Sequence, residues 1–454
     1  MAEVSMTTTV VEQVDPATLR KVIVAAAIGN FVEWFDFAVY GFLATTIALQ
    51  FFPSTDTSAA LLKTFAVFAV AFAFRPLGGI FFGMLGDRIG RKRTLAITIL
   101  LMAGATTLIG LLPTYAAIGV TAPILLTIIR CAQGFSAGGE YAGACAYLME
   151  HAPKDQRAWY GSFLPVSTFS AFAAAAVVAY ALEAALSAET MGSWGWRLPF
   201  LIAAPLGLVG LYLRWRLDET PAFQAVTEEH DVAHSPLKET LRNHGAAICC
   251  LGAFISLTAL SFYMFTTYFA TYLQVAGGLS RATALLVSLI ALLFAAAICP
   301  LAGAYSDRVG RRATVVTACV LLMLVVFPSF LMASSGSFAA SIFGVMLLAI
   351  GAVLCGVVTA ALLSETFPTR TRYTASAITY NMAYTLFGGT APLVATWLIS
   401  TTGSNLSPAF YLIAVAALAL AGGLALPETS KISLHDVAER GEVGPGSRMN
   451  SLPS

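Results

Sequence analysis

A basic, glycine-rich segment occurs twice in this chain of 454 residues. The first copy reads Gly83-Met-Leu-Gly-Asp-Arg-Ile-Gly-Arg-Lys-Arg93, and the second, in the other half of the chain, reads Gly303-Ala-Tyr-Ser-Asp-Arg-Val-Gly-Arg-Arg-Ala313. Each copy lies between two long apolar runs. A segment that returns in the same sequence context indicates an internal repeat, which restricts the fold to one built from two similar halves.

Two shorter patterns are repeated in the same order. Glu-x-x-Pro-x-x-x-Arg occurs at 150–157 and at 365–372, and Leu-x-Glu-Thr occurs at 217–220 and at 426–429. Together with the basic segment they predict two parallel six-helix repeats, related by an axis along the membrane normal, with a binding site between them.

The composition excludes a soluble protein. Hydrophobic residues make up 58% of the chain and charged residues only 11%, whereas a soluble domain carries roughly 25% charged residues. The charges are separated by apolar runs of about 20 residues, which is the length that spans a bilayer as a helix. We therefore predict an all-α, multi-pass membrane protein.

The basic residues predict the orientation. Of the 25 Lys and Arg residues, only Lys63, Arg197 and Arg281 fall in segments that would face outward. Because cytoplasmic loops carry the excess of Lys and Arg, both termini are predicted to be cytoplasmic. The polar N-terminal segment carries Glu12 and Asp15 and does not have the pattern of a cleavable signal peptide. We expect the protein in the plasma (inner) membrane.

The apolar runs predict twelve transmembrane helices in two groups of six. A cytoplasmic N-terminus (1–19) precedes the first half (20–216), a cytoplasmic linker (217–243) joins it to the second half (244–427), and a cytoplasmic tail (428–454) follows. The predicted helices are 20–50, 58–86, 94–112, 121–150, 157–185, 196–216, 244–275, 281–306, 313–334, 338–366, 372–401 and 407–427.

Five ionisable residues lie inside the predicted spans, all in the first half: Glu33, Asp36, Arg75, Arg130 and Glu140. A charge within the membrane costs at least a few kcal/mol, so it usually faces a cavity or a partner and marks a functional site. An acid in a low-dielectric cavity beside a movable cation is suited to bind and release a proton. Asp36 and Glu140 are the first candidates for proton coupling, and Glu33 is the next.

The same spans carry candidate substrate-binding residues. Arg75 and Arg130 are suited to a carboxylate, because a guanidinium group can bind it with two parallel hydrogen bonds. Aromatic rings beside this face could surround an ammonium group through cation–π attraction. The alternative is that the charged residues form internal salt bridges that hold the helices together. The remaining substrate-binding candidates are Trp34, Tyr40, Gln133 and Tyr141.

The repeated basic segments predict a cytoplasmic gate. Paired acids and arginines at one membrane face could link the halves in one state and separate in the other, as alternating access requires. Simple topology-determining charge would explain the arginines but not the acids. The gating candidates are Asp87, Arg88, Arg91, Glu150 and Arg157 in the first half, and Asp307, Arg308, Glu365 and Arg372 in the second.

Several motifs resemble a known family. The two basic segments resemble the loop signature of the major facilitator superfamily. Asn30-Phe-Val-Glu-Trp-Phe-Asp-Phe-Ala-Val-Tyr-Gly41, Arg75-Pro-Leu-Gly-Gly79 and Gln133-Gly-Phe-Ser-Ala-Gly-Gly-Glu-Tyr141 are similar to its metabolite:proton symporter family. Within that family the strongest resemblance is to proline/betaine (osmolyte) transporters. It implies the twelve-helix major facilitator fold and import of small carboxylates or osmolytes driven by the proton gradient.

We therefore expect a proton-coupled symporter that imports a small zwitterionic osmolyte or carboxylate, of the proline/glycine betaine type, by alternating access. The alternatives are a symporter for di- or tricarboxylates or aromatic acids, and an uncoupled facilitator. The sequence has no phosphate loop, metal-ligand cluster or Ser/His/Asp arrangement, so we predict neither an enzyme nor a cofactor or metal. The expected partners are the small-molecule substrate, protons and the lipid bilayer, without nucleic acid, and the monomer should suffice for transport.

Overall fold

The computed structural model describes residues 16–89, 91–139, 141, 145, 148–149, 152–215, 236–367 and 372–430. Twelve transmembrane segments, here called helices 1 to 12, follow one another along the chain. Helices 1 to 6 are Pro16–Phe42 with Ala44–Phe51, Thr57–Ala73 with Arg75–Ile89, Arg91–Leu111, Thr121–Ser136 with Ala137–Gly139, Arg157–Gly161 with Phe163–Ala185, and Leu198–Trp215. Helices 7 to 12 are Pro236–Val275, Arg281–Val309, Arg311–Ala333, Phe338–Glu365, Arg372–Thr402 and Ser407–Ala425.

These helices have the composition of membrane spans. Over the residues that the structure describes, nine are long and apolar enough to cross a bilayer, and the two parts of helix 1 would form a tenth as one bent span. Large apolar side chains on their outer faces, such as Leu301, Leu324 and Phe343, are more than half exposed. A surface of this kind is covered by lipid, so the prediction of an all-α membrane protein is confirmed.

Two predicted boundaries are wrong. Helix 1 begins at Pro16 rather than at 20, and helix 7 begins at Pro236 rather than at 244, inside the segment assigned to the linker. Proline suits the first turn of a helix, where its missing N–H is not needed. The extension of helix 7 is polar and that of helix 1 is only four residues long, so an apolar run could not reveal them.

Three helices are irregular in ways that hydropathy does not predict. Helix 1 bends by 62° between Ala26–Phe42 and Ala44–Phe51. Helix 7 contains a π-helical turn at Met264–Tyr268, and helix 11 contains another at Tyr384–Gly389. Such turns occur frequently at functional sites, and here both belong to the second half and face the first.

The two halves have the same internal packing. In each half the first helix packs on the fifth and sixth, the third on the fourth and sixth, and the second on the fourth. This agreement supports the repeat that the sequence predicted. The halves meet where helix 5 packs on helix 8, helix 2 on helix 11, and helix 1 on helix 7.

Glycines bring helices 2 and 4 unusually close. A Cβ atom on Gly134 would lie 1.7 Å from the carbonyl oxygen of Ala71, and one on Gly138 would lie 2.0 Å from that of Arg75. Only a residue without a side chain fits such a contact. The approach fixes the backbone of helix 2 at Arg75, the first of the intramembrane arginines.

Candidate functional site

Helix 1 directs two carboxyl groups toward two different arginines. Glu33 lies 3.7 Å from Arg75 of helix 2, measured from Oε1 to Nη2, and both side chains are almost fully buried. Arg75 Nη2 also donates a hydrogen bond of 3.3 Å to the carbonyl of Ala137 in helix 4. The guanidinium group lies over the rings of Phe37 and Phe72, at 5.6 and 5.3 Å from their centres. Glu33 and Arg75 thus form a buried pair that joins helices 1 and 2.

Asp36 belongs to a second buried cluster, one helical turn further along. It lies beside Thr106 and within electrostatic range of Arg130. Arg130 is 4.2 Å above the ring of Tyr40 and donates to Oε1 of Gln133 at 2.8 Å. This cluster lies within the first half.

The cluster is tied to its surroundings by further hydrogen bonds. Gln133 donates to the hydroxyl of Thr106 at 2.5 Å, and Tyr40 donates its hydroxyl to the carbonyl of Thr64 at 2.9 Å. Four of the predicted site residues, Asp36, Tyr40, Arg130 and Gln133, therefore lie together.

An aromatic cluster spans the contact between the halves. The ring centre of Tyr263 in helix 7 lies 6.3 Å from Trp34, 5.2 Å from Phe72 and 5.7 Å from Phe68, all of the first half. Phe262 approaches Trp34 at 5.1 Å. Arg75 and these rings therefore lie side by side, so a group suited to a carboxylate lies next to groups suited to a cation.

Tyrosines also stack across the contact between helices 4 and 11. Tyr141 lies parallel to Tyr380 with ring centres 4.5 Å apart, and Tyr380 stacks on Tyr384 at 3.9 Å. Asn381 of helix 11 donates to the carbonyl of Gly138 in helix 4 at 2.8 Å. Tyr141, a predicted substrate-binding residue, thus contacts the second half directly.

A charged network joins the halves near the start of helix 5. Asp307 accepts hydrogen bonds from the backbone N–H groups of Ala158 and Trp159, at 3.0 and 2.8 Å. Arg157 lies 3.8 Å from Glu365 at the end of helix 10. A carboxylate at the first turn of a helix is stabilised by the exposed N–H groups and by the helix dipole. The network connects helices 5, 8 and 10, as a gate between halves requires.

Arg311 is the centre of this network and was not among the predicted residues. Its guanidinium group binds both carboxylate oxygens of Glu365, at 3.0 and 3.1 Å, and Asp307 at 2.9 Å. Arg308, which was predicted, is exposed at the end of helix 8. The repeat could have identified Arg311, because it occupies the position in the second basic segment that Arg91 occupies in the first.

Glu428 extends the network to the end of helix 12. It accepts hydrogen bonds from the backbone N–H groups of Arg311 and Arg312, at 2.8 and 3.0 Å, and Thr429 donates to Glu365 at 2.7 Å. Partial burial opposes ionisation of Glu428, but hydrogen bonds from Ser430 and these amides hold its pKa below the ordinary value. The repeated Leu-x-Glu-Thr pattern is therefore part of the same network.

The side chains of six predicted residues lie outside what the structure describes. Glu140 and Glu150 are among the residues whose backbone is not described, and the side chains of the other four are not described. Their roles in proton coupling and gating stay predictions. The other four are Asp87, Arg88, Arg91 and Arg372.

Comparison with known proteins decides the family. Residues 26–392 match the profile of the Major Facilitator Superfamily. The chain belongs to this superfamily. It is 38% identical over 427 residues to a proline/betaine transporter of Salmonella typhimurium, with 92% of this chain and 85% of that protein covered. It is also 37% identical over 435 residues to the ectoine/proline transporter ProP of Corynebacterium glutamicum, with 93% and 86% covered.

Solved structures agree in fold. The chain superimposes on the proton:xylose symporter XylE with a TM-score of 0.76 at 18% sequence identity, covering 94% of this chain and 99% of that one. This similarity confirms the major facilitator fold of twelve helices in two repeats. Because the relatives and the fold are those of transporters, the prediction that the chain is not an enzyme is also confirmed.

Proposed function

We propose that this protein is a proton-coupled symporter that imports a small zwitterionic osmolyte of the proline/glycine betaine type. The relatives of highest similarity described above carry the names of proline/betaine and ectoine/proline transporters. The observation that carries the proposal is the pair of buried acid–arginine clusters on helix 1, set against aromatic rings of the other half.

Asp36 is our candidate for the proton site. A buried carboxyl group beside an arginine is subject to two opposing effects, since burial favours the neutral acid and the cation favours the carboxylate. A small change in the distance to Arg130 therefore changes whether a proton is bound. Tyr40 of helix 1 and Gln133 of helix 4 hold the guanidinium group of Arg130. Movement of helix 4 relative to helix 1 would therefore change the distance between Arg130 and Asp36. Glu140 and Glu33 remain the further candidates.

Arg75 is our candidate for the substrate carboxylate. It lies at the contact between the halves, because it lies over Phe37 and Phe72, and Phe72 contacts Tyr263 of helix 7 at 5.2 Å. A zwitterion bound here would bring its carboxylate to Arg75 and its ammonium group to the rings around Trp34. Glu33 would then exchange its contact with Arg75 for one with the ammonium group. Binding would thus replace one buried pair by two, without leaving a charge unpaired.

The network of Asp307, Arg311, Glu365 and Arg157 is our candidate for the cytoplasmic gate. It joins the halves through charge-assisted hydrogen bonds, which are strong when buried and are lost when the halves separate. The equivalent positions in the first basic segment, Asp87 and Arg91, are expected to act in the same way. The proposed orientation has both termini in the cytoplasm of the plasma membrane, and one chain acts as a monomer without a cofactor or nucleic acid.

The experiment is uptake into proteoliposomes under an imposed inward proton gradient. Radiolabelled proline and glycine betaine are compared with citrate and oxoglutarate, each with and without a protonophore. Protonophore-sensitive accumulation of proline or betaine is the expected result. Accumulation of citrate or oxoglutarate alone would move the function to a carboxylate symporter in which Arg75 and Arg130 act together. Equilibration that ignores the gradient would contradict symport.

A further inference from the structure

A buried asparagine fixes the orientation of the tryptophan in the proposed site. Trp34 donates its indole N–H to Oδ1 of Asn30 at 2.9 Å, one helical turn earlier on helix 1. The amide nitrogen of Asn30 donates to the hydroxyl of Thr168 on helix 5 at 2.8 Å. It also lies 3.3 Å from the carbonyl of Leu164 and 3.4 Å from the hydroxyl of Ser167. Asn30 is 3% exposed and Trp34 is 2% exposed.

These hydrogen bonds determine what the indole can offer a ligand. Tryptophan has one hydrogen-bond donor and no acceptor, and in this structure Asn30 accepts the bond from that donor. The two faces of the ring are what remains for recognition. A ring face attracts a cation through its quadrupole, and this attraction depends on the cation lying above the ring. The bond to Asn30 therefore leaves the ring faces as the part of Trp34 that can contact a ligand, and it fixes the angle of these faces.

Aromatic rings of both halves surround Trp34. Phe262 lies 5.1 Å from its ring centre, Phe172 6.1 Å and Tyr263 6.3 Å. Phe172 belongs to helix 5, whereas Phe262 and Tyr263 belong to helix 7 of the other half. Movement of helix 7 would part these rings and expose the face of Trp34 to an incoming cation.

We propose that Asn30 is a positioning residue that presents the face of Trp34 to the substrate's ammonium group and so sets the preference for alkylated ammonium compounds. This inference rests on the proposed function. A quaternary ammonium group has no N–H to donate and so depends more on the ring faces, whereas the secondary ammonium group of proline can also donate hydrogen bonds to Glu33 or to a hydroxyl group. Loss of ring alignment should therefore weaken the binding of glycine betaine more than that of proline.

The test is a double-mutant cycle between Asn30→Ala and Trp34→Phe, with KM measured for glycine betaine and for proline in proteoliposomes. Each single substitution should raise the KM for betaine roughly 5- to 30-fold, the range of a desolvated cation–π contact, and that for proline less than about threefold. In the Trp34→Phe background, which has no indole N–H, Asn30→Ala should have no further effect on betaine. Additive effects, or equal effects on the two substrates, would overturn the proposal.

Thr168→Val is the matched control. It removes the acceptor of helix 5 but keeps the bond between Asn30 and Trp34, so the ratio of the two KM values should stay within about twofold of the wild-type ratio. If Thr168→Val reproduces the effect of Asn30→Ala, the asparagine acts as a structural tie and the proposal fails. Where Asn30→Ala does not reach the membrane, Asn30→Ser, which is too short to reach the indole, is judged by the same criteria. A wild-type protein that transports neither substrate would refute the proposed function itself.

Discussion

The two halves share one packing pattern but carry different chemistry at the membrane centre. The first half contributes the buried charges Glu33, Asp36, Arg75 and Arg130. The described centre of the second half contributes rings and hydroxyl groups, together with the π-helical turns of helices 7 and 11. Under the proposed function, the first half would bind the proton and the substrate carboxylate, and the second half would close over them.

The largest effect is expected for Asp36→Asn. If the first half holds the proton, the amide should abolish uptake driven by the proton gradient but leave exchange of labelled for unlabelled substrate, because exchange needs no net proton movement. Uptake and counterflow are measured on the same proteoliposomes. The control is Asp56→Asn, an exposed acid that caps helix 2 by accepting from Ser58 N–H at 2.8 Å. Gradient-driven uptake that survives Asp36→Asn would shift the proton site to Glu33 or Glu140.

The next largest effect is expected for Arg75→Lys. Lysine keeps the charge but loses the fork that binds a carboxylate bidentately, so substrate affinity should fall roughly 10- to 100-fold, as for one lost charge-assisted bond. Binding is measured by isothermal titration of the solubilised protein. Arg130→Lys is the comparison, and it should disturb coupling more than affinity. The reverse pattern would exchange the roles that we give the two arginines.

A smaller effect is expected for Asp307→Asn in the proposed cytoplasmic gate. Asp307→Asn keeps the shape of the side chain but weakens its bonds to Ala158, Trp159 and Arg311, so the cytoplasmic side should open more often. A cysteine placed at Tyr160 should then react faster, by about three- to tenfold, with a membrane-impermeant thiol reagent from the cytoplasmic side, as expected for the loss of 0.5–1.5 kcal/mol. If the repeat is functional, Asp87→Asn should act in the same direction. Unchanged labelling in both variants would refute the gate.

The smallest effect concerns stability. Gly134→Ala forces apart helices 2 and 4, since its Cβ would lie 1.7 Å from the carbonyl oxygen of Ala71, and overpacking of this kind costs about 1–3 kcal/mol. The melting temperature of the solubilised protein should fall. Gly104→Ala on helix 3 meets nothing within 4 Å and should leave it unchanged. Equal melting temperatures for both variants would mean that the close approach does not support Arg75.

The fold was largely predictable from the sequence, because long apolar runs, basic loops and repeated motifs are one-dimensional signals of a membrane protein with two halves. The buried charges were predictable for a related reason, since a charge within an apolar run is conspicuous. The ion pair of Glu33 with Arg75 and the position of Asp36 near Arg130 were not, because they depend on the rotation of helix 1 and on the glycine contacts of helix 4.

The aromatic residues show most clearly which contacts could not be predicted from the sequence. Tyr263 and Trp34 lie far apart in the chain, and rings are so frequent in membrane helices that neither spacing nor composition identifies the ones that meet. Arg311 is the opposite case, because comparison of the two basic segments would have identified it. The bend of helix 1 and the π-helical turns leave no mark in hydropathy, so the apolar runs did not predict them.

If the first half of the chain couples a proton to substrate, substrate entry must carry protons into the vesicle, and this proton entry can be measured. Purified protein is reconstituted into vesicles that contain a pH-sensitive dye, and glycine betaine or proline is added outside without a pH gradient and with the membrane potential clamped. Substrate should acidify the interior of vesicles with the wild-type protein and not of those with Asp36→Asn. Substrate entry without acidification in the wild type, or acidification of equal size in the variant, would contradict it.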